Sequence, residues 1–98
     1  MKTTDEILDI LREFKKSEGE KFGIQELGLF GSAARREQNE GSDIDICMKP
    51  GLGIDYFTFL DIKERLECLF NNNVDLLTLH ENLGKAFRTN VIRDAIFV

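Results

Sequence analysis

The sequence predicts a small α/β domain, an α+β arrangement in which a small mixed β-sheet is flanked by helices. Two patterns carry this expectation. Apolar residues recur at three- and four-residue spacing near residues 4–17 and 54–70, whereas residues 24–30, 43–48 and 74–79 are short dense or alternating runs. Length adds a bound: 98 residues support one core, burying roughly 60 to 70% of the unfolded chain's surface. A single domain over residues 1–98 is therefore expected.

Thr3 and Glu6 stand in capping-box spacing, and Ile7, Ile10, Leu11 and Phe14 then mark an amphipathic helix over about residues 4–17. Lys15 and Lys16 suit its C-terminus, and Gly19 and Gly23 flank the next turn. Ile24–Phe30 is apolar but short, and Gly28 and Gly31 disfavour helix, so a buried strand ending at Phe30 is predicted. Ser32 can cap a short helix through Ala33, Ala34, Arg35 and Arg36, before a polar loop from Glu37 to Gly41.

Residues 43–48 alternate strictly, with Asp43, Asp45 and Cys47 on one face and Ile44, Ile46 and Met48 on the other. Pro50 closes that strand. Gly51 and Gly53 loosen the connection, and Gly51-Leu52-Gly53 reads as a loop rather than a dinucleotide fingerprint. Phe59, Ile62, Leu66, Leu69 and Phe70 mark a helix over about 54–70, stopped by Asn71 to Asn73. Phe59 and Phe70 read as core or partner contacts. Val74 to Leu79 alternates again, with Asp75, Leu77 and Leu79 opposite Val74, Leu76 and Thr78. A last helix from about Asn82 and a terminal stretch, Ala95 to Val98, complete the reading. Lys85, Arg88 and Arg93 read as its solvated face, and His80 as a surface residue at a strand end.

The 13 Lys and Arg against 18 Asp and Glu give a net charge of -5, which argues against a nonspecific nucleic-acid binder. No apolar run approaches the ~20 residues that span a bilayer, and the acidic residues of MKTTDEILDILREFKK do not fit a signal peptide. A cytoplasmic protein is the default expectation. Cys47 and Cys68 lack CxxC spacing and read as small core residues rather than as a zinc site or disulfide framework.

Three carboxylates, Asp43, Asp45 and Asp75, fall in predicted strands, where Asp is depleted and costly to bury unpaired. At ~4 Å and an effective dielectric near 20, each ionised pair would repel by ~4 kcal/mol. Mg²⁺ would offset this, since it takes oxygen ligands from one or two carboxylates, substrate phosphates and water. On strand physics alone, ordinary surface aspartates explain the pattern equally well. Gly31-Ser32, at a strand end and a helix start, suits an anion, although a tight turn with an N-cap is the commoner use of such a pair.

From Gly31 the chain reads GSAARREQNEGSDID, with ten residues between Ser32 and Asp43. This resembles the GS-x10-DxD signature of the nucleotidyltransferase superfamily that includes DNA polymerase beta. LFGSAARR and SDIDI are similar still more closely to the minimal nucleotidyltransferases, whose pattern is GSxARG followed by SDID and whose genes commonly lie beside a HEPN-domain partner. The resemblance covers nearly the whole chain and implies the polymerase beta-like nucleotidyltransferase core. It further implies Mg²⁺-dependent transfer of AMP from ATP to a protein hydroxyl, a tyrosine of a HEPN toxin, with two ions bound and an antitoxin role. On this pattern Gly31 and Ser32 hold the triphosphate, Asp43 and Asp45 bind both metals, and Asp75 completes one metal site and assists as a base. Ser42 matches the motif and reads as a cap or a hydrogen bond that orients Asp43. Arg35 matches the motif arginine, and phosphate contact or bracing of the carboxylates stands beside an exposed helical arginine as its reading.

Arg36 departs from the pattern, which has glycine there; if that position needs a positive φ, arginine strains the turn. The departure favours a second reading, an interaction module that neutralises its partner by binding while the carboxylate site is idle. In either case the short chain leaves the acceptor surface to a partner or to self-association, with no nucleic acid or membrane expected.

Overall fold

The computed structural model describes residues 2–37, 41–51, 54–79 and 93–98. Helix α1 (Thr4–Phe14) opens with the capping box the spacing predicts, the Thr3 side chain accepting from the Glu6 N–H while Glu6 accepts from the Thr3 N–H. The helix does not stop near residue 17. It widens through a π-helical turn (Lys15–Gly19) into a last short turn, α2 (Glu20–Phe22). Gly19 therefore lies buried inside helical structure rather than in the turn, where a Cβ would come within 3.3 Å of Lys15 Cγ. Gly23, at φ +76°, ends the helix.

Strand β1 (Ile24–Phe30) matches its predicted limits. Helix α3 (Gly31–Ala34) begins at Gly31 behind an N-cap Phe30 that supplies no side-chain bond, so Ser32 lies within the first turn and is not the cap. Strand β2 (Ile44–Pro50) starts one residue after Asp43 and includes Pro50. Asp55 accepts from the Thr58 N–H at 2.8 Å and sets the start of α4 (Tyr56–Phe70), two residues later than expected. Asn71, at φ +50°, closes it ahead of β3 (Val74–Thr78). Leu79 falls just beyond β3, but its N–H still donates to the Met48 carbonyl. The terminal stretch contains a short strand, β4 (Ile96–Phe97). The expected helix from Asn82, with His80, Lys85 and Arg88, and Leu52 and Gly53 of the glycine loop, lie outside the described residues; Arg93 is exposed.

The sheet order is β3-β2-β1-β4, with β2 and β3 parallel and the other pairs antiparallel, so it is mixed as predicted. Its two faces differ. Ile44, Ile46 and Met48 enter the main core with Ile7, Leu8, Leu11 and Phe14 of α1 and Ile62, Leu66 and Phe70 of α4. Each such side chain contributes about 1.5–3 kcal/mol on burial. On the other face a smaller cluster joins Cys47 and Leu79 to the half-buried Phe30, Leu77 and Ala95. Of the two cysteines only Cys47 is a core residue; Cys68 is exposed, on the side of α4 turned away from Ile62, Leu66 and Phe70. Among the described residues, no helix is long and apolar enough to cross a membrane.

Candidate active site

The smaller face of the sheet carries the carboxylates, and strand register brings two of them side by side. Asp45 pairs with Asp75 across the parallel β2–β3 ladder and with Phe30 across β1–β2. The residue after Phe30 is Gly31, whose φ is +70°. A Cβ at Gly31 would fall on Asp45 Oδ2 and within 2.9 Å of its Cγ. Glycine is thus demanded twice, by backbone conformation and by the approach of the carboxylate.

Asp45 is half-buried, while Asp43 and Asp75 are exposed. Burial pushes the Asp45 carboxyl above the ordinary aspartate range, with the charges of Asp75 and then Asp43 adding to the rise and Arg35 opposing it. The three predicted ligands are therefore electrostatic neighbours. Among the described residues, however, no three His, Cys, Asp or Glu side chains are gathered tightly enough to hold a metal ion as they stand. The donor set still fits Mg²⁺, which takes few protein carboxylates and completes its shell with phosphate and water oxygens. A cation at this point would relieve the repulsion that raises Asp45. Cys47, on the same face, has its thiol pushed up to about 11 by burial and is chemically quiet.

The turn after α3 resolves the departure at Arg36. The Glu37 N–H donates to the Ser32 carbonyl (2.8 Å) and the Arg36 N–H to that of Ala33 (3.2 Å), the paired bonds of a Schellman ending. Arg36 occupies its left-handed position at φ +60°, the place glycine ordinarily takes. Its guanidinium turns to Asp5 of α1 at 3.0 Å. Arg35 is exposed; its Nε donates to Glu37 (3.1 Å) and its Nη1 lies 3.5 Å from Asp94.

Sequence reasoning missed several supporting residues. Asn72 and Asn73 read only as a helix stop, yet Asn72 Nδ2 donates to the Ser42 carbonyl (3.2 Å) and the Ile44 N–H to the Asn73 carbonyl (3.0 Å), tying both sides of Asp43 to the head of β3. Glu37 read as loop, and Asp94 carries no pattern that singles it out in the sequence. Their link to Arg35 spans distant segments, and no local pattern signals it.

The chain matches the family model described as polymerase beta, nucleotidyltransferase, over residues 5–98. It is 44% identical over 78 residues, 80% of this chain and 91% of the other, to a Methanocaldococcus jannaschii protein provisionally named a protein adenylyltransferase. It is 36% identical to the protein adenylyltransferase MntA of Thermococcus cleftensis, covering 100% of this chain and 98% of that one. Among solved structures, one provisionally called a minimal nucleotidyltransferase superimposes with a TM-score of 0.81 at 29% identity, over 97% of this chain and 95% of that one. A chain from the complex of the tri-AMPylated Shewanella oneidensis HEPN toxin with MNT antitoxin shares the fold at a TM-score of 0.59 and 20% identity, over 96% of this chain and 66% of that one.

Proposed function

The chain belongs to the polymerase beta nucleotidyltransferase family, and from that premise we propose that it is a protein adenylyltransferase acting as an antitoxin. In this reading it moves AMP from ATP to a tyrosine hydroxyl of a HEPN toxin and releases pyrophosphate. The observation that carries it is the in-register pair Asp45 and Asp75 beside a Gly31 that leaves room for nothing larger. The MntA relative's name and the AMPylated toxin in the S. oneidensis complex support the choice of AMP and of partner.

Asp43, Asp45 and Asp75 would hold Mg²⁺, two ions in the full reading, which when bound stabilises charge on the reacting phosphate and the departing pyrophosphate. Gly31 presents bare backbone where the triphosphate must approach closely, and Ser32 offers a hydroxyl donor. Arg35 supplies positive charge at the same end of the sheet. Asp75, exposed on β3, is the carboxylate best able to accept the proton of the attacking hydroxyl. That oxygen forms the new bond to the α-phosphorus as the bond to pyrophosphate breaks. The acceptor comes from another protein surface, through a hetero-oligomer or self-association.

Arg36, the sequence feature that favoured an idle, binding-only module, is accommodated by the turn in a left-handed conformation that glycine favours. The test is intact-mass analysis of a HEPN partner incubated with this chain, ATP and Mg²⁺. Addition of AMP that disappears with Asp43→Asn or Asp45→Asn is the expected result. Equal modification by the double variant would remove the assigned carboxylates from the mechanism, and tight binding without modification would establish the binding-only reading.

A further inference from the structure

We propose that Asp94 is a positioning residue for nucleotide binding: it holds the Arg35 guanidinium with its remaining donors directed to phosphate, and so couples the closing strand to the Gly-Ser turn. The proposal rests on the reading of Arg35 as a phosphate contact, and it adds a residue from the far end of the chain to that site.

Two carboxylates divide the guanidinium between them. Glu37 takes Nε at 3.1 Å and Asp94 lies 3.5 Å from Nη1. A guanidinium has five N–H donors in a rigid planar fork. Holding Nε and one Nη fixes the plane of the guanidinium, and its remaining N–H donors are then set in fixed directions for charge-assisted bonds to phosphate oxygens. The two anchors come from unrelated places. Glu37 is set locally, since its N–H closes the turn onto Ser32 at 2.8 Å. Asp94 is half-buried and stands two residues before β4, whose pairing with β1 is extended by the Val98 N–H to the Leu27 carbonyl at 2.9 Å. Asp94 thus has a backbone anchored to the same strand that delivers Gly31.

An exposed ion pair contributes little to stability, so the role predicted for Asp94 is orientation. Arg35 contacts phosphate before and during transfer alike, so losing its orientation weakens nucleotide binding and leaves turnover at saturation nearly unchanged.

Calorimetric titration of the full chain with ATP and Mg²⁺ tests this directly. Asp94→Asn is expected to raise Kd about threefold to tenfold, Asp94→Glu to restore most of the loss, and Asp94→Asn in an Arg35→Ala background to add nothing. The partner-modification assay should show KM rising with kcat within about twofold. An equal loss from Asp94→Asn with and without Arg35, or tighter binding in Asp94→Asn, overturns the proposal, the latter by making Asp94 a competitor of phosphate. An Asp94→Glu chain that melts like wild type yet binds as weakly as Asp94→Asn also overturns it. If the binding cycle comes out as expected while no AMP is ever transferred, the adenylyltransferase reading fails and the role of Asp94 stands.

Discussion

Strand β2 shows two sets of rules on its two faces. Ile44, Ile46 and Met48 are sealed beneath α1 and α4 in the main apolar core. One residue out of phase, Asp43 and Asp45 point to a side that, among the described residues, holds the smaller apolar cluster, gathers like charges and relies on positive-φ backbone at Gly31. In the proposed reading the contrast separates what folds the chain from what it does: one face supplies stability, and the other gives up some of it to keep carboxylates and bare backbone together.

Substitutions at neighbouring positions should therefore have opposite signatures. Ile46→Ala, on a side chain with no exposure, is expected to lower stability by about 2–5 kcal/mol, read by chemical denaturation. Gly31→Ala comes next. A methyl there must displace Asp45 and adopt a left-handed φ, for about 2–4 kcal/mol and the loss of measurable transfer. A Gly31→Ala chain as stable and active as wild type would show that the turn does not need the contact described here.

Asp45→Asn should reverse the sign. Transfer falls about 10²–10³-fold or more, while stability at neutral pH rises by about 0.5–1 kcal/mol as a half-buried charge and its repulsion by Asp75 and Asp43 disappear. Because the folded-state pKa of Asp45 is raised, its unfavourable contribution is present only where the carboxylate ionises. The advantage of Asn is therefore full above the raised pKa and shrinks to nothing as pH falls below the ordinary aspartate range. Denaturation of both chains across acid pH checks this, and a gap that widens on acidification would contradict it.

Periodicity made most of the elements legible. Strand β1, the alternation of β2 and β3 and the apolar stripes of α1 and α4 follow from side-chain spacing, which burial enforces. The continuation of the first helix was not legible, because Lys15, Lys16 and Gly19 look like an ending and the π-helical turn that carries the chain on has no periodic signature. Within the site, the candidates Gly31, Ser32, Asp43, Asp45 and Asp75 came from motif spacing, yet only the parallel register of β2 with β3 puts Asp75 beside Asp45. Asp94 and Asn72 act through contacts between segments distant in sequence, which no local pattern encodes.

The smallest expected effect concerns the one position where the motif is broken. Arg36 holds φ +60° in a Schellman turn, a conformation that disfavours a residue with a Cβ by roughly 1 kcal/mol relative to glycine. Its exposed pair with Asp5 at 3.0 Å returns only a few tenths of that. Arg36→Gly should accordingly raise stability by about 0.5 kcal/mol, whereas Arg36→Ala, which keeps the Cβ and loses the pair, should lower it slightly. For a domain of this size the two variants would then melt several degrees apart. Neither should alter the Kd for ATP, because the Arg36 side chain turns to α1 and away from Arg35's carboxylates. If Arg36→Gly melts below wild type, the pair with Asp5 outweighs the turn, and the arginine is a clasp between α3 and α1.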